Sequence, residues 1–339
     1  MQPTPHAAHV ERMVRRARIV TAIRRFFDER GFLEVDTPIA LTAPAPEVHI
    51  EAPRVELHTP AAAVRYLQPS PELPMKRLLA RGFARIYQVA PVFRDGDFGP
   101  MHRPEFRLLE WYRRDAGWET LLDDCEQLLR AAAGAAAGTG GPAAAISVAG
   151  RRISLAAPFR RLSVDEAFQA HAGFSILEAL TVEALRPLVR ACGLTPSDDD
   201  SWSDLFHRVY LARVEPELVR DGQPVFLTDY PAPLSALARL RPDDPRVAER
   251  FELFVGGWEL ANGFGELTAA AEQRRRFEAD RTERRARGMH DDPLDERVLD
   301  ALAELPPSAG IALGLDRLLA VLLDVADLDA VAFIPWSEA

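Results

Sequence analysis

Arginines and glutamates in separate segments carry most of the chemistry that this sequence offers. Arg94 and Arg317 have guanidinium groups, which stay charged and present a fork of donors that suits phosphate oxygens. Glu252 and Glu259 have the carboxylates that Mg²⁺ prefers, with water and phosphates completing its shell. The sequence has neither a P-loop nor a G-x-G-x-x-G, so a nucleotide would have to be held by side chains. Any one of these residues, taken singly, could equally form a salt bridge.

The spacing of the two glutamates sets a condition on the backbone that carries them. Glu252 and Glu259 are seven positions apart, so a regular strand would place them on opposite faces of a sheet. A bulge or a turn at Gly256 and Gly257 would bring the two carboxylates together. We therefore predict such an irregularity there.

The elements that must position these residues follow from the pattern of apolar residues. Apolar side chains at three- and four-residue spacing predict a helix over residues 10–30, which Gly31 can end. Further helices are predicted over residues 73–82, 118–133 and 270–287. Strands are predicted over residues 32–38, 107–113 and 225–231, strands around a turn over 83–93, a hairpin over 146–155, and a strand entering a helix over 311–323.

Runs of successive strands, without regular β-α-β alternation, favour one fold class. They predict an α+β fold with a mainly antiparallel sheet flanked by helices rather than a doubly wound fold. We expect residues 1–339 to form a single catalytic domain. It should carry a helical insertion at about 163–222 and a flexible loop at about 132–145, where the sequence is rich in alanine and glycine.

Composition and charge limit the class of protein. The formal net charge of -10 argues against extensive tRNA binding, because a large nucleic-acid footprint needs a basic surface. No apolar run approaches the ~18–20 residues of a membrane helix. Cys125 and Cys192 stand far apart, which predicts two reduced thiols. We expect a cytoplasmic protein without a membrane segment.

Three segments together resemble the signature motifs of class II aminoacyl-tRNA synthetases. The first, residues 27–38, predicts a helix followed by a strand that ends at a proline, which alone is weak evidence. The second, residues 93–112, contains FRDGD, HRPEF and LEWY and is far more specific. The third, residues 310–317, is GIALGLDR. In the family the first motif builds a homodimer interface, so the resemblance implies a homodimer.

The same resemblance implies how ATP is bound. Arg94 would act on the α-phosphate and Arg317 on the γ-phosphate, as the two catalytic residues. The other residues that the resemblance assigns to ATP are Asp95, Gly96, His102, Arg103, Phe106, Glu259, Leu260 and Gly314.

Two further segments narrow the resemblance to enzymes of the lysyl-tRNA synthetase type. Residues 70–77, SPELPMKR, and residues 251–267 are similar to their amino-acid and metal segments. The resemblance implies that Glu252 and Glu259 bind Mg²⁺ and that carboxylates pair with the substrate ammonium, which a buried cation requires. The implied substrate-binding residues are Ser70, Pro71, Glu72, Glu110, Tyr112, Asn262, Phe264, Glu266 and Ala312.

The predicted helix that leads into the first motif begins near residue 10, so we expect no OB-fold anticodon-binding domain before it. This architecture resembles the elongation factor P–(R)-β-lysine ligase family. The resemblance implies that lysine or (R)-β-lysine is activated with ATP and Mg²⁺ and transferred to a lysine of elongation factor P. A ligase with another acceptor (a carrier protein, a small molecule or tRNA) and a non-catalytic regulator remain alternatives.

The second motif departs from the family pattern at two positions. The glutamate expected two residues after Arg94 is Gly96, and a usual asparagine is Arg103. In the family that glutamate helps to read the adenine amine, a role that Asp95 or Asp97 could take over. Gly96 is the observation behind the non-catalytic alternative.

Overall fold

An eight-stranded sheet forms the centre of the computed structural model, which describes residues 5–58, 63–220 and 222–338. The strands in chain order are β1 (Leu33–Glu34), β2 (Ala40–Leu41), β3 (Arg54–Leu57), β4 (Ala63–Leu67), β5 (Arg85–Phe93), β6 (Glu105–Arg114), β7 (Ala145–Val148), β8 (Arg151–Ser154), β9 (Arg160–Ser163), β10 (Val225–Pro231), β11 (Val247–Val255), β12 (Trp258–Gly265) and β13 (Ser308–Gly314). The large sheet has the order β1-β5-β6-β13-β12-β11-β10-β9. Its neighbours are antiparallel except at the two edges, where β1 and β9 run parallel to β5 and β10. The predicted α+β fold with a mainly antiparallel sheet is confirmed.

Ten α-helices surround the sheet in the described part of the chain. They are α1 (Pro5–Asp28), α2 (Glu72–Ala80), α3 (Glu119–Ala137), α4 (Val164–His171), α5 (Val182–Ala191), α6 (Trp202–Val209), α7 (Glu215–Val219), α8 (Ala270–Ala286), α9 (Glu296–Leu302) and α10 (Leu315–Leu323). None of these helices is long and apolar enough to span a bilayer.

The two faces of the sheet serve different purposes. Side chains alternate between the faces of a strand, so Trp111 of β6 packs in the core formed with α1, α3 and α10, while Tyr112 faces the other side. That other side is bordered by α2, α8 and α9, which form a smaller apolar cluster around Leu79 and Phe277. The face that Tyr112 shares is the one that carries the candidate site.

Helices α4 to α7 lie between β9 and β10 and have their own apolar cluster. Ser163 and Ser201 cap the N-termini of α4 and α6 with capping boxes. Each serine hydroxyl accepts a hydrogen bond from a backbone amide of the first turn, and the side chain of Glu166 or Asp204 accepts one from the serine's own amide. The cluster closes against the sheet through residues such as Leu227 and Phe254. This part of the chain is therefore helical over most of residues 163–222.

Most predicted elements lie where the sequence indicates, with shifted ends. Helix α1 ends beside Gly31, whose φ is +69°, and β7 and β8 form the predicted hairpin around Ala149 and Gly150. Helix α3 continues to Ala137, so residues 132–137 of the predicted loop segment are helical. Only Leu33–Glu34 of the strand predicted over 32–38 is paired in the sheet.

The prediction of strands around a turn over residues 83–93 is wrong. These residues form one strand, β5, which is paired with β6 along its whole length. Pro91 cannot donate a ladder hydrogen bond and normally stands at a sheet edge. It is tolerated here because β1 pairs only with Ile86 and Tyr87, which leaves Pro91 without a strand on that side.

Candidate active site

A cavity opens on the sheet face that α2, α8 and α9 border. Strands β6, β12 and β13 contribute to its floor. The lining residues of β6 and β13 alternate, because every second side chain of a strand points to the same face. The cavity is lined by thirteen of the residues that the sequence assigned to ATP, metal or amino acid: Ser70, Glu72, Arg94, His102, Arg103, Phe106, Glu259, Leu260, Asn262, Phe264, Ala312, Gly314 and Arg317.

Arg94 and Arg317 are two of the four described arginines that line the cavity. The Arg94 guanidinium lies over the Phe106 ring, 5.2 Å from its centroid, and its buried Nε has no hydrogen-bond partner among the described residues. Arg317 donates from Nη1 to the Glu259 carbonyl at 3.1 Å and has Nη2 at 2.9 Å from His102 Nε2. Such a pair of cations suits a ligand with several phosphate oxygens.

His102 is held as a neutral imidazole. Its pKa is lowered, first by burial and then by the charge of Arg317. A neutral ring can accept a hydrogen bond at Nε2, which matches the short distance to the Arg317 guanidinium. His102 thus orients Arg317 without adding a second charge of its own.

The irregularity predicted between the two glutamates is confirmed. Strands β11 and β12 form a hairpin whose turn contains Gly256 and Gly257, with φ of +60° and +97°, and the register shifts between Leu253 and Phe254. Because of this shift, Phe254 pairs with Glu259, whereas a regular register would pair Phe254 with Leu260.

The two carboxylates of this hairpin have different surroundings. Glu259 lines the cavity, and its pKa is raised first by burial and then by the nearby charge of Glu252. Glu252 stands behind the wall, where its Oε1 accepts from Arg250 Nη2 at 2.6 Å. Within the described ranges no three His, Cys, Asp or Glu side chains form a metal-binding group. The donor set therefore fits Mg²⁺ only if phosphate oxygens and water complete the shell.

Lys76 is buried beside Glu72, in the part of the site lined by Ser70, Glu72, Asn262 and Phe264. We call this part the amino-acid half, because the resemblance assigns these four residues to the amino acid. The Nζ atom of Lys76 lies 2.6 Å from Glu72 Oε1 and 2.6 Å from Glu266 Oε2, and the side chain is 2% exposed. Burial alone would lower the pKa of Lys76, but the charges of Glu266 and Glu72 outweigh it and raise that pKa. The sequence segment 70–77 contained Lys76, yet the residue was given no role. The four-residue spacing of Glu72 and Lys76, at the start of a predicted helix, is the sequence signal for this ion pair.

Glu110 lies behind Ser70 at the floor of the same half. The Ser70 hydroxyl donates to Oε1 at 2.7 Å and the Tyr112 hydroxyl to Oε2 at 3.0 Å. Burial, followed by the charge of Glu72, raises the pKa of Glu110 to about 8, although these two hydrogen bonds oppose the shift. Glu110 is therefore largely protonated at neutral pH in this arrangement.

Gly310 makes this arrangement possible from the neighbouring strand. A Cβ added there would lie 2.2 Å from Glu266 Oε1 and 2.2 Å from Tyr112 Cε1, far inside van der Waals contact. Asn262 completes this half, with a buried Oδ1 that has no hydrogen-bond partner in the described structure.

Seven of the assigned residues do not line the cavity. They are Pro71, Asp95, Gly96, Glu110, Tyr112, Glu252 and Glu266. Asp95 instead donates its amide to the Glu51 carbonyl at 2.8 Å and accepts at Oδ1 from the Gly96 amide. Asp97, rather than Asp95, reaches the cavity wall.

Several lining residues were not expected from the sequence. They are Glu47, Ile50, Met101, Leu108, Ala236, Leu237, Arg250, Ala261, Asp316 and Leu328. Arg250 could have been found, because it stands two residues before Glu252 on one strand and so shares its face. The others are brought in by loops and helix ends that no local pattern links to the site.

Comparison with known proteins places this site in a family. The chain matches the family described as tRNA synthetases class II (D, K and N) over residues 6–338. It therefore belongs to the class II aminoacyl-tRNA synthetase family, as its motifs predict, and the prediction of a ligase of this type is confirmed.

Three curated relatives of the chain carry one and the same name. The chain is 38% identical over 335 residues to the elongation factor P–(R)-β-lysine ligase of Erwinia tasmaniensis, with 96% of each chain covered. It is 37% identical over 338 residues to the ligase of the same name from Hamiltonella defensa, covering 98% of this chain and 97% of the relative. A third, from Salmonella paratyphi A, is 36% identical over 333 residues, with 96% of each covered.

Proposed function

We propose that this protein activates a lysine-like amino acid, (R)-β-lysine, with ATP and transfers it to a lysine side chain of elongation factor P. One observation carries the proposal: Arg94 and Arg317 line the same cavity as Glu72, and the carboxyl groups of Glu110 and Glu266 lie behind its wall. A triphosphate needs the arginines and an ammonium-bearing amino acid needs the carboxyl groups. The names of the relatives supply the acceptor and the isomer.

The charge balance around Lys76 supports a cationic substrate. Glu72 and Glu266 place two carboxyl groups against the single ammonium of Lys76. Glu110 adds a third carboxyl that can ionise when a cation approaches, because an opposite charge lowers a carboxyl pKa. The amino-acid half thus contains more carboxyl groups than cations, which suits a substrate ammonium.

ATP and Mg²⁺ fit the other half. Arg94 and Arg317, which both line the cavity, would bind the α- and γ-phosphates through their guanidinium groups. Glu259, with Glu252 behind it, would hold Mg²⁺, which neutralises phosphate charge when bound.

The reaction needs no nucleophile from the protein. The carboxylate of the amino acid attacks the α-phosphorus of ATP, pyrophosphate leaves, and an aminoacyl adenylate remains. The acceptor amine, having lost a proton, then attacks the acyl carbon and AMP leaves. Arg94 and Arg317 stabilise the developing phosphate charge, and the carboxylates around Lys76 hold the amine end in place.

ATP–pyrophosphate exchange with (R)-β-lysine, α-lysine and no amino acid tests the activation step. We expect exchange that depends on the amino acid, and loss of at least about 100-fold in the R317A variant. Mass spectrometry of elongation factor P after incubation with ATP, Mg²⁺ and (R)-β-lysine tests the transfer. A mass gain on one lysine supports the proposal.

The two assays separate the alternatives. Exchange without any mass gain on elongation factor P would point to another acceptor. Amino-acid binding in calorimetry without ATP binding would instead favour the non-catalytic regulator that Gly96 suggests.

We also propose a homodimer, a cytoplasmic location and no extensive tRNA binding. The dimer is supported by exposed apolar side chains in α1, which leads into the first motif, and in β1, which lies within it: Val10, Val14 and Leu33. The two unpaired cysteines suit a reducing compartment. The net charge of -10 argues against a large phosphate footprint.

A further inference from the structure

Arg103 was assigned to ATP by the resemblance, but its guanidinium is engaged with the protein. Nε donates to Asp329 Oδ1 at 2.8 Å and Nη2 to Asp327 Oδ1 at 2.8 Å. Nη1 donates to the carbonyls of Gly99 and, at 2.8 Å, His102. An arginine has five N–H donors, so four are committed. Arg103 therefore cannot donate two hydrogen bonds to a phosphate without losing one of its present acceptors.

The carboxylates that hold Arg103 belong to a second segment that meets the same loop. Asp327 begins a short 3-10 helix, Leu328–Val331, by accepting from the Asp329 amide at 2.7 Å. The Leu328 amide donates to the Pro100 carbonyl at 3.2 Å. Residues 97–103 are thus fastened to residues 327–331 by two ion pairs and a backbone hydrogen bond.

The fastened loop presents His102 to the cavity. Arg103 binds the carbonyl of His102, and the imidazole of His102 lies 2.9 Å from Arg317. Arg317 also faces the Met101 carbonyl, at 3.4 Å from Nε. The position of Arg317 in the cavity therefore depends on the course of this loop.

We propose that Arg103 is a positioning residue, which clamps residues 97–103 onto Asp327 and Asp329 and so sets His102 and Arg317 for the triphosphate. The proposal rests on the proposed ATP site. A positioning role can be distinguished from direct ATP binding by Arg103. The clamp requires Asp327 and Asp329, whereas a contact between Arg103 and a phosphate does not. The lowered pKa of Asp329, caused first by the Arg103 hydrogen bond, agrees with a tight pair.

The test compares three variants: R103N, D327A/D329A and the triple combination. ATP–pyrophosphate exchange gives KM for ATP and kcat separately, and hydrogen–deuterium exchange reports on residues 97–103. We expect each of the first two variants to raise KM for ATP by about 5- to 30-fold, with a smaller change in kcat. The triple variant should be no worse than either, since both remove one interaction. Amide exchange in residues 97–103 should become faster in all three.

D243N serves as the matched control, because Asp243 forms an ion pair with Arg241 at 2.7 Å outside the cavity lining. It should leave both readouts unchanged. If R103N raises KM while D327A/D329A leaves it at the wild-type value, Arg103 is an ATP ligand and the clamp is refuted. Unchanged amide exchange in R103N refutes it as well. Absence of ATP–pyrophosphate exchange in the wild type would count against the proposed function. The hydrogen–deuterium exchange of residues 97–103 would still decide whether the clamp exists.

Discussion

The amino-acid half of the cavity is built around a cation that belongs to the protein. Lys76 is buried between Glu72 and Glu266, so these carboxylates are already paired. A buried carboxylate without a partner would take up a proton instead of keeping its charge. Burial raises the pKa of Glu266 to about 7 although the charge of Lys76 opposes the shift, and the ammonium of a bound substrate would favour the ionised form further.

Replacing Glu266 by glutamine tests this charge balance. E266Q keeps the shape but leaves Lys76 and Glu72 as a neutral pair. We expect the KM for the amino acid to rise by roughly 30- to 1000-fold, which corresponds to about 2–4 kcal/mol. The KM for ATP should change little. E178Q, at an exposed ion pair with Arg246, is the control, and an equal loss for both substrates in E266Q would contradict the assignment.

The raised pKa of Glu110 gives a prediction about pH and stability. The carboxyl has a pKa near 4.5 when unfolded and about 8 when folded. Between these values the folded state binds more protons than the unfolded state, so its stability falls as pH rises through this window. The glutamine of E110Q does not titrate. The free energy of unfolding of E110Q, relative to that of the wild type, should therefore rise by about 1–4 kcal/mol from pH 5 to pH 8 and stay constant at higher pH.

Urea unfolding at pH 5, 6.5, 8 and 9, without substrates, measures this difference. A constant gap between E110Q and wild type over the four values would show that Glu110 is not buried in its neutral form. E304Q, in the loop after α9, controls for the loss of a carboxyl at an unrelated position.

At the scale of elements, helix α8 holds a loop of the cavity wall in place. Arg284 of α8 is 1% exposed and donates from Nη1 to the carbonyls of Glu47 and Ile50, both at 2.8 Å. From Nη2 it reaches Glu51 Oε2 at 2.9 Å and Asp292 Oδ2 at 3.1 Å. Because the Glu51 carbonyl accepts from the Asp95 amide, one buried guanidinium links α8 to the loop that follows Arg94.

R284M should therefore be strongly destabilising. It would leave Asp292 buried and unpaired, at a cost of about 3–5 kcal/mol in the free energy of unfolding. R285M is the matched control, since its neighbour Arg285 is 51% exposed and pairs with Asp291, and should cost about 0.5 kcal/mol or less. Chemical denaturation of both variants measures the difference, and similar values would contradict the role of Arg284.

At the scale of the whole molecule, the proposed dimer has a surface to test. Val14 of α1 is 46% exposed, and α1 leads directly into residues 27–38, the motif from which the dimer is proposed. V14E should dissociate the protein at micromolar concentration, because a charge would be buried without a partner. L211E is the control, since Leu211 is 55% exposed in the helical insertion. Sedimentation that finds the wild type monomeric would contradict the dimer.

Much of the fold was predictable because local rules decide it. Gly31 ends α1 in a left-handed conformation, and Gly256 and Gly257 turn the β11–β12 hairpin, as their position between apolar runs indicates. The strand at residues 83–93 was misjudged for a reason outside the segment. Pro91 fits within β5 only because the adjacent strand β1 is too short to reach it.

The candidate site, like the fold, was predictable from the sequence only in part. The sequence by itself determined which side chains can bind phosphate, metal or ammonium, because charge and geometry of donors belong to residue types. The tertiary structure alone decided their partners. It paired Lys76 with Glu266, Arg250 with Glu252 and Arg103 with Asp329. Two of these three pairs join residues about 190 and 226 positions apart, and only packing of the whole sheet brings such residues within a hydrogen bond.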